Sequence, residues 1–300
     1  MSFLEAVRSD GLLVSRPARI DEHRVSDRNT FLDWKKATSD PLLLRKLSTL
    51  PEIIESWIAP YGGFSGREVL DFGCGFGETA AGIALQYDVT RVVGVDVQDK
   101  PARCEPLLME KIGIGGLPDH LTLAQIEKGA LLGEQEFDLV ISWSVLEHVQ
   151  RDSLRQTIAD LWTALRPGGL AFVQISPLYF SPEGSHLWAI GYGGWEHLLR
   201  QTSEVLADIE AAPHLTTEAK DRLVRLYSTL NRVTANELTA HCDAVGFEVV
   251  RQQRDRTEKT PSACLTEAYC VEALTTDQIV LLLKKPDLSN EGHPHPSNQA

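Results

Sequence analysis

The sequence predicts a doubly wound α/β fold built on a mostly parallel sheet of seven strands. Short apolar runs (EVLDF, RVVGVDV, LTLAQI, FDLVISW and LAFVQIS) recur between residues 68 and 176 with helix-like stretches between them. That is the pattern of strands buried on both faces. Two more runs, FEVVRQQR and DQIVLLLKKP, follow towards the C-terminus. The first run ends in a glycine-rich turn, DFGCGFG, that opens a helix expected near 77–86. Such a turn brings bare main chain and helix N-terminal amides to a ligand.

Taken in order, residues 1–66 carry no strand pattern, and Pro41 and Pro51 each head an apolar stretch and suit first helical positions. The stretch from Asn29 through Trp34 reads as a packing helix. After the fifth strand the chain turns rich in Pro, Gly and aromatic residues (SPLYFSPEGSHLWAIGYGGW), then becomes charged and helical from about Trp195 to Leu230, as an insertion would. The segment TANELTAHCDAVG reads as a helix stopped by Gly246 and leads into the sixth strand. The segment around Pro261 is too irregular for a confident crossover helix, so an antiparallel final strand is expected.

Composition removes several function classes. A formal net charge of −13, with no dense Lys/Arg patch, argues against a nucleic-acid partner. No window approaches the roughly 18 apolar residues of a membrane span, and the first residues lack a secretory leader, so no membrane partner and a cytoplasmic location are expected. Cys74, Cys104, Cys242, Cys264 and Cys270 have neither paired spacing nor neighbouring ligands, which disfavours a disulfide framework or zinc site. No metal is expected. Cys74 reads as a small residue between glycines, not as an activated thiol.

The turn departs from the dinucleotide fingerprint, which needs glycine where Glu78 stands. Asp71 and Glu78 on either side would serve a pyrophosphate poorly and suit a cationic ligand better. Taken together, VLDFGCGFG, the acidic strand end GVDV, FDLVISWSVLEHV and the turn LRPGG resemble, in order and spacing, the class I S-adenosylmethionine-dependent methyltransferases. The likeness is close over about residues 66–176 and extends to the last two strands by pattern.

That resemblance implies a Rossmann-like methyltransferase sheet and S-adenosylmethionine as cofactor. It implies that Gly73, Cys74 and Gly75 offer backbone to the amino acid end of the cofactor, while Asp71 meets or orients its ammonium directly or through water. Asp96 would accept both ribose hydroxyls, with Val97 and Gln98 beside the adenine. Where many relatives carry an acid after the third strand, this chain has Leu123-Ala-Gln-Ile126, so Gln125 or the backbone of Ile126 would meet the adenine. Ser142 and Trp143 would flank the methionine portion, Trp143 equally well as packing. For the stretch from Asn29 through Trp34 the resemblance implies, as the alternative to packing, a cover over the cofactor. The implied organisation is an N-terminal helical segment (1–66), an S-adenosylmethionine-binding core (67–176), a lid (177–233), the C-terminal part of the core sheet (234–286) and a disordered tail (287–300).

The acceptor is expected to be a small molecule or sugar, methylated on a hydroxyl oxygen. Its cleft lies at the carboxyl ends of the strands, where Glu147 and His148 follow the fourth strand and the insertion follows the fifth. His186 is the candidate general base because its ordinary pKa lies near neutrality, and His148 is a weaker one. His186 also reads as a loop-stabilising imidazole bonded to backbone, and His148 as a residue that orients its loop or caps the next helix. Tyr179 and Trp188 are the aromatics expected to touch the acceptor, the others to pack the lid. SPEGSHLW followed by LNRVTANEL resembles bacterial methyltransferases of polysaccharide or small-metabolite pathways. Nitrogen or carbon methylation, a non-catalytic regulatory domain and, least favoured because of Glu78, a nicotinamide oxidoreductase stand as alternatives. Oligomeric state is left open.

Overall fold

The computed structural model describes residues 22–130 and 132–287. Among these, seven strands form one sheet: β1 (Glu68–Phe72), β2 (Arg91–Asp96), β3 (Leu121–Gln125), β4 (Phe137–Trp143), β5 (Leu165–Ile175), β6 (Glu248–Arg256) and β7 (Thr276–Lys284). Their order is β3-β2-β1-β4-β5-β7-β6. Pairs from β3 to β5 are parallel, and β7 runs antiparallel to both β5 and β6. The expected fold class and the antiparallel last strand are therefore both present.

Alternation along each strand divides the core in two, because successive side chains face opposite sides of a sheet. Leu70, Val93, Val140 and Leu281 bury one face beneath α6 (Arg151–Ala164) and α9 (Ala235–Val245). Val69, Val92, Leu139 and Leu282 bury the other. That second face is covered by α1 (Glu22–Ala37), α2 (Pro41–Leu44), α3 (Leu50–Ile58), α4 (Glu78–Gln86) and α5 (Cys104–Lys111), which supply Phe31, Leu43, Ile54, Ile83 and Leu108.

Pro41 opens α2 as expected, behind an Asp40 cap that accepts from Leu42 N and Leu43 N at 3.1 and 3.0 Å. Pro51 does not open a separate helix. It lies one residue inside α3, directly after a π-helical turn over Arg45–Thr49. Lacking an N–H, Pro51 cannot use the carbonyl of Leu47 four residues back. The Gln86 side chain on α4 fills that acceptor instead, donating from Nε2 at 2.8 Å. That carbonyl also presses on α4 where Gly82 stands: a Cβ there would lie 2.0 Å from Leu47 O. Gly82 thus permits the two helical layers to touch.

The insertion holds α7 (Thr202–Ala211) and α8 (Thr217–Thr229) around a core of its own that includes Tyr179, Leu187, Ile209 and Tyr227. The irregular stretch between β6 and β7 contains two short helices, α10 (Ala263–Ala268) and α11 (Val271–Thr275). LRPGG, expected as a turn, falls within the bounds of β5. Leu165 pairs with Phe137 and the next pair is Leu170 with Leu139, so the intervening residues bow out of register. Gly168, at φ 78, turns this bow, and Gly168 N and Gly169 O bond the backbone of Lys285. The expected tail from residue 288 and the first part of the N-terminal segment lie outside the described residues. No helix among the described residues is long and apolar enough to cross a membrane.

Exposed helix interiors favour alanine over glycine by about 1 kcal/mol, yet Gly82→Ala is expected to destabilise by about 2–3 kcal/mol through overpacking. Gly115→Ala, where a Cβ meets nothing within 4 Å, should be nearly neutral. Urea unfolding of the two variants checks the contrast.

Candidate cofactor and acceptor site

The strand order reverses between β1 and β4, which opens the crevice used by doubly wound sheets for ligands. The glycine turn is bonded to the end of β2 beside that crevice. Gly73 N and Cys74 N both donate to Val95 O, at 2.8 and 3.0 Å. Gly75 N donates to Asp96 Oδ2 at 3.0 Å, and Gln98 N to Asp96 Oδ1 at 2.8 Å. Each Asp96 oxygen keeps lone-pair capacity beyond the bond it accepts. Gly73 and Gly77 leave no room for a side chain, since a Cβ would meet Val145 at 2.4 Å and Leu123 at 2.5 Å. Gly75, at φ 59, differs: its missing Cβ points into space with nothing within 4 Å.

Asp71 is 3% exposed and lies behind this turn. It accepts a backbone bond from Ala80 in the first turn of α4, while its Oδ2 has no partner. Burial above all, then the charges of Asp96 and Glu78, push its carboxyl up to about 7. Asp71 pairs in register with Ile141 on β4, so Ser142 is the next residue along; its buried Oγ is likewise unpartnered. An orphan carboxylate oxygen and an orphan hydroxyl on neighbouring strand ends suit a cationic, hydrogen-bonding group. Burial above all, then the charges of Asp71 and Asp96, raise the Cys74 thiol, which keeps it protonated and unreactive.

On the other side of Asp96, Val97 is exposed. Gln125 Nε2 donates to Val97 O at 3.2 Å, leaving its Oε1 uncommitted, and Ile126 N is spent on Asp96 O at 2.8 Å. Trp143 stacks on Phe172 with ring centres 5.9 Å apart, as packing.

Beyond β4 and β5 the structure gathers three histidines. His186 Nε2 meets Pro177 O at 3.2 Å. A carbonyl only accepts, so Nε2 carries the proton and Nδ1 presents a lone pair. His148 Nδ1 lies 3.1 Å from Thr229 Oγ1, whose own proton goes to Leu226 O. His148 is therefore protonated on Nδ1 and bare on Nε2. His197 Nε2 donates to Tyr179 O at 2.7 Å, and its buried Nδ1 has no partner. Burial lowers all three, His148 and His197 to about 4, so each is neutral near pH 7. The His148 and His186 rings meet edge to face at 5.4 Å.

Tyr179 and Trp188 diverge in setting. Tyr179 is buried, with its hydroxyl 3.5 Å from that of Tyr227. Trp188 is 51% exposed, donates to Glu183 at 3.0 Å, and packs 5.5 Å from the His186 ring. Glu147 is 3% exposed and, among the described residues, its carboxyl oxygens reach no partner on another residue; burial pushes it up to about 8, outweighing the pull of its own backbone N–H. Two residues that the sequence reading does not single out, Lys100 and Arg232, bear electrostatically on His148 and His197 respectively. Their only local signals are a lysine four residues past Asp96 and an Asn-Arg pair between two helices. Among the described residues no group of three or more His, Cys, Asp or Glu could hold a metal ion.

A methyltransferase-domain family profile matches residues 46–252, spanning β1 to β5, the insertion and the start of β6. The chain belongs to the class I S-adenosylmethionine-dependent methyltransferase family. Among curated proteins, the ubiquinone biosynthesis O-methyltransferase of Dechloromonas aromatica is 31% identical over 134 residues, 45% of this chain and 53% of that protein. The protein of the same name from Rickettsia prowazekii is 32% identical over 122 residues, 40% and 44% of the two chains. This methyltransferase thus spans about half the length of the curated relatives it matches. A solved structure described as a sarcosine dimethylglycine methyltransferase from Galdieria sulphuraria superposes with a TM-score of 0.50 at 14% identity, covering 88% of this chain and 99% of that one. That likeness concerns the fold alone.

Glu147 generates a pH prediction. Its ordinary carboxyl value is 4.5 and its folded value about 8, so the folded enzyme holds a proton that the unfolded chain has released. Stability should therefore fall as pH rises through that window. Glu147→Gln removes this contribution. Urea titrations between about pH 5 and pH 8 should show the variant gaining stability relative to the wild type as pH rises.

Proposed function

We propose that this methyltransferase moves the methyl group of S-adenosylmethionine to a hydroxyl oxygen of a small molecule or sugar. The observation that carries the oxygen assignment is the pair of neutral imidazoles, His186 and His148, whose bare nitrogens can receive a hydroxyl proton. The O-methyltransferase relatives support the same acceptor atom.

The crevice residues fit the cofactor by their chemistry. Asp71 and Ser142 answer its ammonium end, Gly73, Cys74 and Gly75 give it main chain at close approach, and Asp96 accepts from its diol. Val97, Gln125 and Ile126 border the adenine, with Gln125 Oε1 as the free acceptor and the Ile126 amide already engaged. The bound cofactor supplies a methyl group already activated by a sulfonium. The protein's part is to align the acceptor and exclude water, effects worth about 7–11 kcal/mol. His186 then takes the acceptor proton at Nδ1 while Pro177 O holds its Nε2–H. Tyr179 and Trp188 flank the acceptor, and His148 faces His186 as an alternative proton site.

Isothermal titration should show S-adenosylmethionine and S-adenosylhomocysteine binding the wild type. Asp96→Ala should bind them about 10- to 100-fold more weakly, the loss expected for bonds to a charged group. No wild-type binding, or unchanged binding by Asp96→Ala, would overturn the cofactor assignment. His186→Ala should lower kcat by about 10²- to 10⁴-fold. The wild-type acid limb should fall below pH 6.5, because burial lowers this imidazole from 6.5. Intact turnover in His186→Ala would remove the base assignment.

A further inference from the structure

Two cations with no acidic partner among the described residues face the histidine cluster from different elements, in a chain of formal net charge −13. Arg232 lies in the link between α8 and α9 with a left-handed backbone, φ 60. The link is fastened to the turn after β4. Asn231 N donates to Glu147 O at 2.9 Å, and its side-chain amide donates to Leu146 O and Val149 O at 2.6 and 2.9 Å. From α6, Arg151 donates to the carbonyls of both Asn231 and Arg232, at 3.2 and 3.1 Å. A left-handed backbone is unfavourable for a non-glycine residue, and the surrounding bonds impose it here. The guanidinium is 4.9 Å from the centre of the Tyr179 ring, and Tyr179 in turn packs 5.0 Å from His197.

Lys100 follows β2, near the glycine turn. Its ammonium is 5.9 Å from the centre of the Phe76 ring, and Arg103 shares that ring at 6.0 Å. Phe76 stands between Gly75 and Gly77. Lys100 bears on His148 and Arg232 on His197, and His186 bears on both histidines. These interactions link the two cations through one cluster. The imidazoles accept hydrogen bonds without carrying charge, and burial favours the protonated, uncharged form of Glu147.

We propose that the acceptor carries an anionic group, a carboxylate or a phosphate ester, received by the Arg232 guanidinium over the Tyr179 ring while its hydroxyl lies at His186. Lys100 and Arg103 draw the anion in past Phe76. The ring covers one face of the guanidinium, whose N–H edge matches the oxygens of either anion. This inference rests on the hydroxyl-methylation reading and narrows its substrate class.

The test uses the full-length enzyme after its S-adenosylhomocysteine affinity has been measured. The loaded protein is titrated with 3,4-dihydroxybenzoate, 4-hydroxyphenyl phosphate and the uncharged 3,4-dihydroxybenzamide. At least one anion should bind about 10- to 100-fold more tightly than the amide, and whichever does so identifies carboxylate or phosphate as the recognised group. The preference should disappear in Arg232→Gln and survive in part in Arg232→Lys, with S-adenosylhomocysteine affinity unchanged in both. Lys100→Gln should reduce the association rate. Independently of any variant, added salt should shrink the wild-type preference. Equal binding of amide and anions, binding of neither anion, or a preference that persists in Arg232→Gln overturns the proposal. Failure of the wild type to bind S-adenosylhomocysteine would instead overturn the cofactor assignment.

Discussion

The bonds between the glycine turn and the end of β2 constrain everything that happens at this sheet's crest. Gly73, Cys74 and Gly75 direct three successive amides at Val95 O and Asp96 Oδ2. Those bonds set the height of the turn above β1, aim the first amides of α4, and hold the Asp96 carboxylate at the edge of the crevice. Without them the left-handed glycines would be free chain. With them, the open approach at Gly75 and the carboxylates of Asp71 and Asp96 belong to one rigid surface.

That surface is electrostatically unfinished. Asp71 is buried near Asp96 and Glu78, and among the described residues only Glu78 of the three has a lysine partner, Lys46 at 2.9 Å. A protein interior tolerates such groups only at a cost, because acids left short of partners lose solvation and repel one another. A cationic ligand offsets that cost on one side of the crevice. The other side differs, with neutral imidazoles, a protonated Glu147 and the Arg232 guanidinium. The insertion side of the cleft thus pairs neutral bases with Arg232, while the side of the first two strands holds its acids together with Lys46, Lys100 and Arg103 around Phe76.

Patterns local in sequence made the scaffold legible. Strand-length apolar runs, the glycine spacing and Asp96 at the end of GVDV were enough for the sheet, its switch point and its antiparallel final strand. Glu78 in place of a glycine was enough to set a dinucleotide aside. Pro51 misled because a proline heading an apolar run looks like a helix start; a π turn and a side chain from α4 absorb it here. The protonation of His148 depends on Thr229, and the seat of Arg232 depends on Asn231 bonding Leu146, 85 residues away. No window of sequence contains both partners, so neither feature could be read before the fold was known.

The placement of β7 between β5 and β6 has a consequence for how the enzyme is made. Its residues are the last of the sheet to be synthesised, yet among the described residues β6 pairs with no other strand and β5 has only β4 on its other side. A nascent chain that has emerged no further than residue 275 therefore exposes a long apolar edge on β5 and leaves β6 with nothing to join. Completion of the core must wait until the ribosome has released the final strand, and until then the partly built sheet offers other chains an edge to pair with.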